Sequence, residues 1–314
     1  MRLNDRAHAL VEGLLARAEE YRVEVTDLEG GGRMIDCGAK VPGGLRAGVE
    51  LARVCMAGLG DVTIAPGDVD GVPCPIIQVL TDHPVAACLA SQYAGWQLSE
   101  GKFFAMGSGP MRAAAGREEL YAKIGRTEKT RAVVGVLETR KAPPPAIVAK
   151  VAEACGVTSD AVTFLVAPTA SLAGGLQIVA RSVETALHKL LELGFDLDRV
   201  VSAHGSAPLP PMARDDLAAI GRTNDAILYG ARVVLFVNDP DDSVVTIGPK
   251  VPSSSSRDHG SPFAEVFARY NYDFYAVDPL LFSPAEIVFQ DLRSGRVQRF
   301  GETRPDVLAR SFFS

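Results

Sequence analysis

Only five of the 314 residues are cysteine and one is tryptophan, and no apolar run reaches the ~18 residues that a membrane-spanning helix needs. The cysteines, Cys37, Cys55, Cys74, Cys88 and Cys155, are odd in number and none sits at the close spacing of a zinc or redox pair. They read as reduced, mostly buried thiols of a cytoplasmic protein. The histidines, His8, His83, His188, His204 and His259, never form His-x-x-x-His or His-x-Glu, and Asp68-Val-Asp-Gly71 and Asp239-Pro-Asp-Asp242 are turn sequences. No metal is therefore expected. A Gly-Lys-Ser/Thr phosphate loop is absent, and Gly58-Leu-Gly60 and Gly107-Ser-Gly109 want the third glycine of a dinucleotide fingerprint, so nucleotide cofactors have no support. Ser108 has its glycines adjacent rather than two residues away, which disfavours a serine hydrolase. Basic side chains number 32 against 38 acidic ones, a net charge of -6 with no basic stripe, so nucleic acid is an unsuitable partner. The polar start, Met1-Arg-Leu-Asn-Asp-Arg-Ala-His8, runs straight into helical periodicity, and a soluble, unprocessed chain is expected.

What is present is an ordinary globular balance, 47% hydrophobic and 22% charged, with 30 glycines and 20 prolines. At roughly 150 residues per domain the length suggests two domains. Apolar spacing predicts a first helix capped by Asn4 or Asp5, then a hairpin of residues 23–28 and 34–37 around Glu29-Gly-Gly-Gly-Arg33. A helix over about 44–58, extended segments at 62–64 and 76–80, a helix from near Pro84 toward Trp96, and a buried strand 133–137 closed by Glu138 follow. The prolines 143–145 suggest a boundary between a first domain, 1–145, and a second, 146–314, although Pro145 equally suits the start of a helix over 146–154. Beyond it come a strand 162–166, a long helix 174–193, a strand 199–203 and a helix from Asp215 to about Leu235. An extended piece at 244–247, a helix 262–270, and a terminal hairpin of 286–291 and 296–300 complete the pattern. Alternating strands and helices with hairpins near both ends give an α/β class, two mixed α/β domains with a pocket between them.

The segment Ala173 to Lys189 carries the most information. On one continuous helix, Leu176, Val179, Val183, Leu187 and Leu190 form a core stripe, while Gln177, Arg181, Glu184 and His188 fall within about 60° of one another. Spacing alone leaves two readings open. One is a solvated face braced by an Arg181–Glu184 pair worth about 0.2 to 0.5 kcal/mol. The other is an enclosed pair in which Glu184 acts as general base toward water and Arg181 keeps it ionised. Ser91-Gln92-Tyr93, beside Gly95-Trp96, offers amide and backbone groups to a planar ligand, or else ends an amphipathic helix. Glu138, at a strand end, suits two hydrogen bonds from an aminopyrimidinone edge, or else is a loop carboxylate beside Arg140 and Lys141.

Several stretches together resemble the methenyltetrahydromethanopterin cyclohydrolase family: Asp36-Cys-Gly-Ala-Lys-Val-Pro-Gly-Gly44, Ser91-Gln-Tyr-Ala-Gly-Trp96, Phe104-Ala-Met-Gly-Ser-Gly-Pro110 and Val136-Leu-Glu-Thr139. The likeness continues through Ala167-Pro-Thr-Ala-Ser-Leu-Ala-Gly174, Gln177-Ile-Val-Ala-Arg-Ser-Val-Glu-Thr185 and His188-Lys189, and so covers most of the chain. It implies a cytoplasmic homotrimer of two-domain α/β subunits that opens 5,10-methenyltetrahydromethanopterin to the 5-formyl form, reversibly, in the one-carbon chemistry of formaldehyde oxidation and methylotrophy. It implies a pterin held between domains, and neither metal nor organic cofactor. The family's catalytic Arg and Glu fall on Arg181 and Glu184, its substrate segment on Ser91, Gln92 and Tyr93, and its pterin-edge carboxylate on Glu138. A non-catalytic protein that holds a reduced pterin in the same pocket is the competing class. A folate-type cyclohydrolase coupled to a dehydrogenase is disfavoured by the missing nucleotide fingerprint.

Overall fold

The turn at Glu29 to Gly32 closes the expected hairpin, strands Glu24–Asp27 and Arg33–Asp36 pairing antiparallel at one edge of a six-stranded sheet. The structure, a computed structural model, describes residues 1–273 and 276–313. The chain divides into two units, Met1–Gly60 with Ala86–Gln177, and Asp61–Val85 with Ile178–Ser314. It is an α/β protein with a mixed sheet in each unit. Among the described residues no helix is long and apolar enough to cross a membrane.

In the first unit, strands Arg33–Asp36, Val162–Ala167 and Val133–Glu138 run parallel, and Phe103–Ser108 and Trp96–Glu100 continue the sheet antiparallel. The two central strands are near-continuous apolar runs because both their faces are covered. Strand alternation sends Val134, Val136 and Leu165 toward helices Leu3–Leu15 and Leu45–Cys55. Val133, Leu137, Phe164 and Val166 face helix Pro145–Cys155 on the other side. The first helix does not use the expected cap. It begins at Leu3, and Glu128 accepts from Leu3 N at 2.7 Å and Asn4 N at 2.8 Å, placing a carboxylate where the helix's free N–H groups point. Asn4 turns inward instead, donating to Pro110 O at 2.9 Å and accepting from Val134 N at 3.0 Å.

The boundary expected at 145 falls inside this unit. Strands Val133–Glu138 and Val162–Ala167, on either side of the prolines, pair along their whole length, so a division there would split one sheet. Pro145 is the first residue of its helix, where a missing N–H breaks no intrahelical bond.

The second unit orders its strands Val297–Gly301, Glu286–Asp291, Arg232–Val237, Val200–Pro208, Ile76–Thr81 and Asp61–Ala65, with one parallel pair, Arg232–Val237 beside Glu286–Asp291. Asp215 caps helix Asp216–Leu228 by accepting from Ala218 N at 2.9 Å, as its position suggested. That helix stops well short of Leu235, because a side chain at Gly230 would meet Pro208 at 2.7 Å and the apolar run that follows enters the sheet. Residues 243–247 are helical rather than extended. Asp239 accepts from Ser243 N at 3.0 Å and Val244 N at 3.1 Å, and that pair of bonds starts the turn.

The long helix expected over 174–193 is two helices, Leu172–Val179 and Ser182–Glu192. Arg181 N closes back onto Ile178 O at 3.0 Å in a tightened turn, and Arg181 becomes the N-cap of the second helix. Two close approaches hold the halves to different elements, helix Leu45–Cys55 and strand Val200–Pro208. Gly48 leaves room for Ala173 and Leu176, whose atoms would lie 3.0 and 2.9 Å from a side chain there, and Gly205 leaves room for Ser182, whose Oγ would lie at 2.3 Å.

Asp225 is fully buried and accepts from Phe263 N at 2.7 Å and from Ser311 Oγ at 2.5 Å, tying helix Asp216–Leu228 to helices Phe263–Arg269 and Pro305–Phe313. Burial, opposed only in part by these bonds, raises its carboxyl from 3.8 to about 7. The folded state thus holds this proton more tightly than the unfolded one, and the associated stability is lost as pH rises through about 7. In Asp225→Asn, which keeps the shape and both contacts, the fall in melting temperature from about pH 5 to about pH 8 is expected to shrink. An unchanged pH dependence in thermal melts would refute the assignment.

Candidate functional site

The parallel strands of the first unit all end at one edge, and four of the notable sequence segments gather there. Asp36, buried at the end of its strand, accepts from Gly38 N at 2.9 Å, Ala39 N at 2.6 Å and Lys40 N at 2.8 Å, folding the loop that follows around its carboxylate. Gly43, at φ +55°, closes that loop where a side chain would lie 2.0 Å from Cys37 O. After strand Val162–Ala167, Ser171 Oγ donates to Pro168 O at 2.7 Å and accepts from Gly174 N at 3.0 Å. The two loops touch, since a side chain at Gly38 would lie 2.9 Å from Ser171. At the third strand end Glu138, half-buried, accepts from Gln177 Nε2 at 3.1 Å. The ends of parallel strands are where α/β sheets leave space for ligands.

Ser91 and Gln92 close a π-helix, Val85–Gln92, confirmed by Tyr93 N bonding Cys88 O at 2.8 Å. Such turns are rare and concentrate at functional sites. Ser91 and Gln92 are fully buried and Tyr93 half-buried. The Ser91 hydroxyl donates to Cys55 O at 2.6 Å, and its carbonyl accepts from Gly109 N at 2.8 Å. Ser108 pairs with Val136 and Met106 with Glu138, so the Ser91 backbone is about 10 Å along the ladder from Glu138. The structure therefore brings Gln177 to Glu138 but seats Ser91 further back along the strand.

Arg181 and Glu184 belong to the second unit, each only 5% exposed. That burial excludes the solvated face as their setting. The single strip drawn through Gln177, Arg181, Glu184 and His188 does not survive, because the helix is interrupted between Gln177 and Glu184. Arg181 stands at the N-cap and Glu184 is the third helical residue, where the unsatisfied N–H groups favour a charged carboxylate. The core stripe does hold, with Leu176, Val179, Val183, Leu187 and Leu190 all buried. Lys189 is committed to structure: its Nζ donates to Ser255 Oγ at 3.2 Å and to Leu280 O, and burial lowers it to about 8.

A cleft of about 400 Å³ within the second unit, lined in part by Asp68, Ser206, Arg232 and Thr303, includes none of the residues given a catalytic or substrate-binding role from the sequence. The five cysteines are all buried, and burial pushes the Cys37 thiol up. Among the described residues no three His, Cys, Asp or Glu side chains gather as metal ligands. Sequence reasoning missed Arg112, which is fully buried and contacts the Ser91 segment. Its carboxylate partner, Glu118, stands six residues away across a helix end, a spacing that carries no periodic signal.

The family model described as Cyclohydrolase (MCH) matches residues 2–312. The chain is 50% identical over 315 residues to the methenyltetrahydromethanopterin cyclohydrolase of Methylobacterium sp. (strain 4-46), covering 99% of this chain and 97% of that protein. It is 48% identical over 287 residues to the protein of that name from Rhodopirellula baltica, covering 90% and 86%. With the one from Methanospirillum hungatei JF-1 it shares 41% over 311 residues, covering 99% and 98%.

The start of helix Leu172–Val179 yields a paired test. A side chain at Gly174 would lie 1.9 Å from Pro168 O, whereas at Gly175 the nearest atom is 3.6 Å away. Gly174→Ala is expected to cost about 1–3 kcal/mol through forced movement, and Gly175→Ala to be neutral or stabilising by up to about 1 kcal/mol, as read by chemical denaturation. Equal effects would contradict the close approach.

Proposed function

The chain belongs to the methenyltetrahydromethanopterin cyclohydrolase family, and from that premise we propose that it hydrolyses 5,10-methenyltetrahydromethanopterin, or a carrier of the same chemistry, to the formyl form. The activity rests on similarity over nearly the whole chain. The assignment of roles rests on one observation, the burial of Arg181 and Glu184 at the start of helix Ser182–Glu192.

The methenyl carbon bridges two nitrogens in an amidinium-like cation, so it is electrophilic without further polarisation. Hydroxide is what neutral water does not provide. Glu184 takes a proton as water attacks that carbon, giving a tetrahedral carbinol. The carboxylic acid then delivers the proton to one of the two nitrogens, that C–N bond breaks, and the carbinol hydroxyl loses its proton as the formyl carbonyl forms. One water is consumed and one proton released. Arg181 and the helix start together favour the charged form of Glu184 in an enclosed setting, where an isolated carboxylate would be protonated. Acid/base assistance of this kind is worth ~100- to 10,000-fold, about 3 to 5 kcal/mol, whereas a helix-bracing ion pair is worth a few tenths. That gap in scale lets a Glu184 variant tell the two readings apart.

Glu138, steadied by Gln177, accepts from the aminopyrimidinone edge in this reading. The half-buried Tyr93 ring, with Ser91 and Gln92 behind it, meets the planar ligand. The subunits assemble as a homotrimer, which light scattering would report as three times the chain mass; a monomer would overturn that part.

For Glu184→Gln, turnover, followed as loss of the methenyl chromophore, is expected to fall by ~100-fold or more with carrier binding retained. Unchanged turnover in a folded variant would retire the base assignment. Arg181→Lys keeps charge but loses the planar fork, so partial loss with a displaced pH profile is expected. A profile and rate equal to the parent's would contradict it.

A further inference from the structure

The last carbonyls of a helix have no N–H partner within it, and at an exposed end water serves them. The π-helix Val85–Gln92 ends where no water reaches, since Leu89, Ala90, Ser91 and Gln92 are all fully buried. Side chains from residues 112 to 121 serve those carbonyls, sharing that of Ser91 with Gly109 N at 2.8 Å. Arg112 Nη1 donates to Leu89 O at 3.2 Å and to Ser91 O at 3.3 Å, and the Tyr121 hydroxyl donates to Ala90 O at 2.8 Å. Arg112 is itself fully buried. Its charge is met by Glu118, Nε donating to Oε1 at 2.8 Å and Nη2 to Oε2, a two-bond fork. The guanidinium meets two aromatic rings, its carbon 5.0 Å from the Tyr93 centroid and 5.5 Å from that of Tyr121. The chain beyond is pinned as well. A side chain at Gly95 would fall 2.1 Å from Glu118 Oε2 and 2.6 Å from Tyr93 Cε1.

We propose that Arg112, Glu118 and Tyr121 form a positioning clamp that presets Ser91, Gln92 and Tyr93 for the pterin and so governs how tightly the substrate binds. The inference rests on the reading that this segment meets substrate. A buried ion pair adds little stability over an apolar replacement, so its worth lies in the arrangement it imposes. Arg112 donates to two carbonyls, holds the Tyr93 ring by a cation–π contact and pairs with the carboxylate that abuts Gly95, and Lys at that position has neither the fork nor the flat face. When the clamp is loosened, the segment must be ordered at the moment of binding, and that cost appears in substrate affinity. Proton transfer is assigned to Glu184, on a helix of the other unit, and is spared.

The experiment compares steady-state kinetics of Tyr121→Phe, Glu118→Gln and Arg112→Lys with the parent, using the methenyl carrier as substrate well below each variant's melting temperature. Tyr121→Phe deletes one hydroxyl and is the variant that keeps the test open should the others fold poorly. It is expected to raise KM about threefold to tenfold, the equivalent of one net hydrogen bond, with kcat within about twofold. Glu118→Gln and Arg112→Lys are expected to raise KM by about tenfold or more. A merely structural role would lower melting temperatures and the folded fraction, which scales kcat and leaves KM in place; that result in Tyr121→Phe would overturn the clamp. Gln92→Ala and Tyr93→Ala are run alongside. A raised KM in these with parental KM in the clamp variants overturns the clamp alone, and parental KM in Gln92→Ala and Tyr93→Ala overturns the segment's contact with substrate and the clamp with it.

Discussion

The interruption at Ala180 and Arg181 is the feature on which the candidate chemistry depends. A continuous helix would leave Glu184 in mid-helix, where every backbone N–H is already spent on a carbonyl. The break instead starts a new helix at Ser182 and puts Glu184 in its first turn. Free N–H groups there supply a partial positive charge, so the carboxylate is offered stabilisation from the backbone. The break is held by packing. Ala173 and Leu176 fit against Gly48 in one unit and Ser182 against Gly205 in the other, each through an approach that no larger residue permits.

Carboxylates shape the rest of the fold by one recurring device, the acceptance of backbone N–H bonds. Asp36 takes three in the loop after its strand, Glu128 takes two at the first helix, and Asp239 takes two at the helix of residues 243–247. Each satisfies donors that would be costly to bury unpaired. Arg112 does the converse for carbonyls at the end of the π-helix.

Much of the fold was legible because its strands and helices carry strong periodicity. The hairpin 24–36, strand Val133–Glu138 and helix Pro145–Cys155 emerge close to their expected limits. Features set by distant partners were not legible. Glu128 lies 125 residues from Leu3, so local reading assigned the cap to Asn4 or Asp5. The helix break has no glycine or proline at Ala180 or Arg181 to announce it, since it comes from the two packing sites. The domain boundary was placed at prolines because composition marks loops, while the division of this chain follows strand pairing, which is non-local. In the first unit the bond between Glu138 and Gln177 joins two residues singled out separately, and in the second Arg181 and Glu184 are each buried. Arg112 carried no local signal.

The account's central claim is that Glu184 rests as a carboxylate inside the protein, ready to accept a proton from water. Infrared difference spectra between the parent and Glu184→Gln, with glutamate carbon-13 labelling, read that charge directly. At neutral pH the parent is expected to show an additional ionised carboxylate stretch absent from the variant. A protonated carboxyl band in its place would contradict the claim.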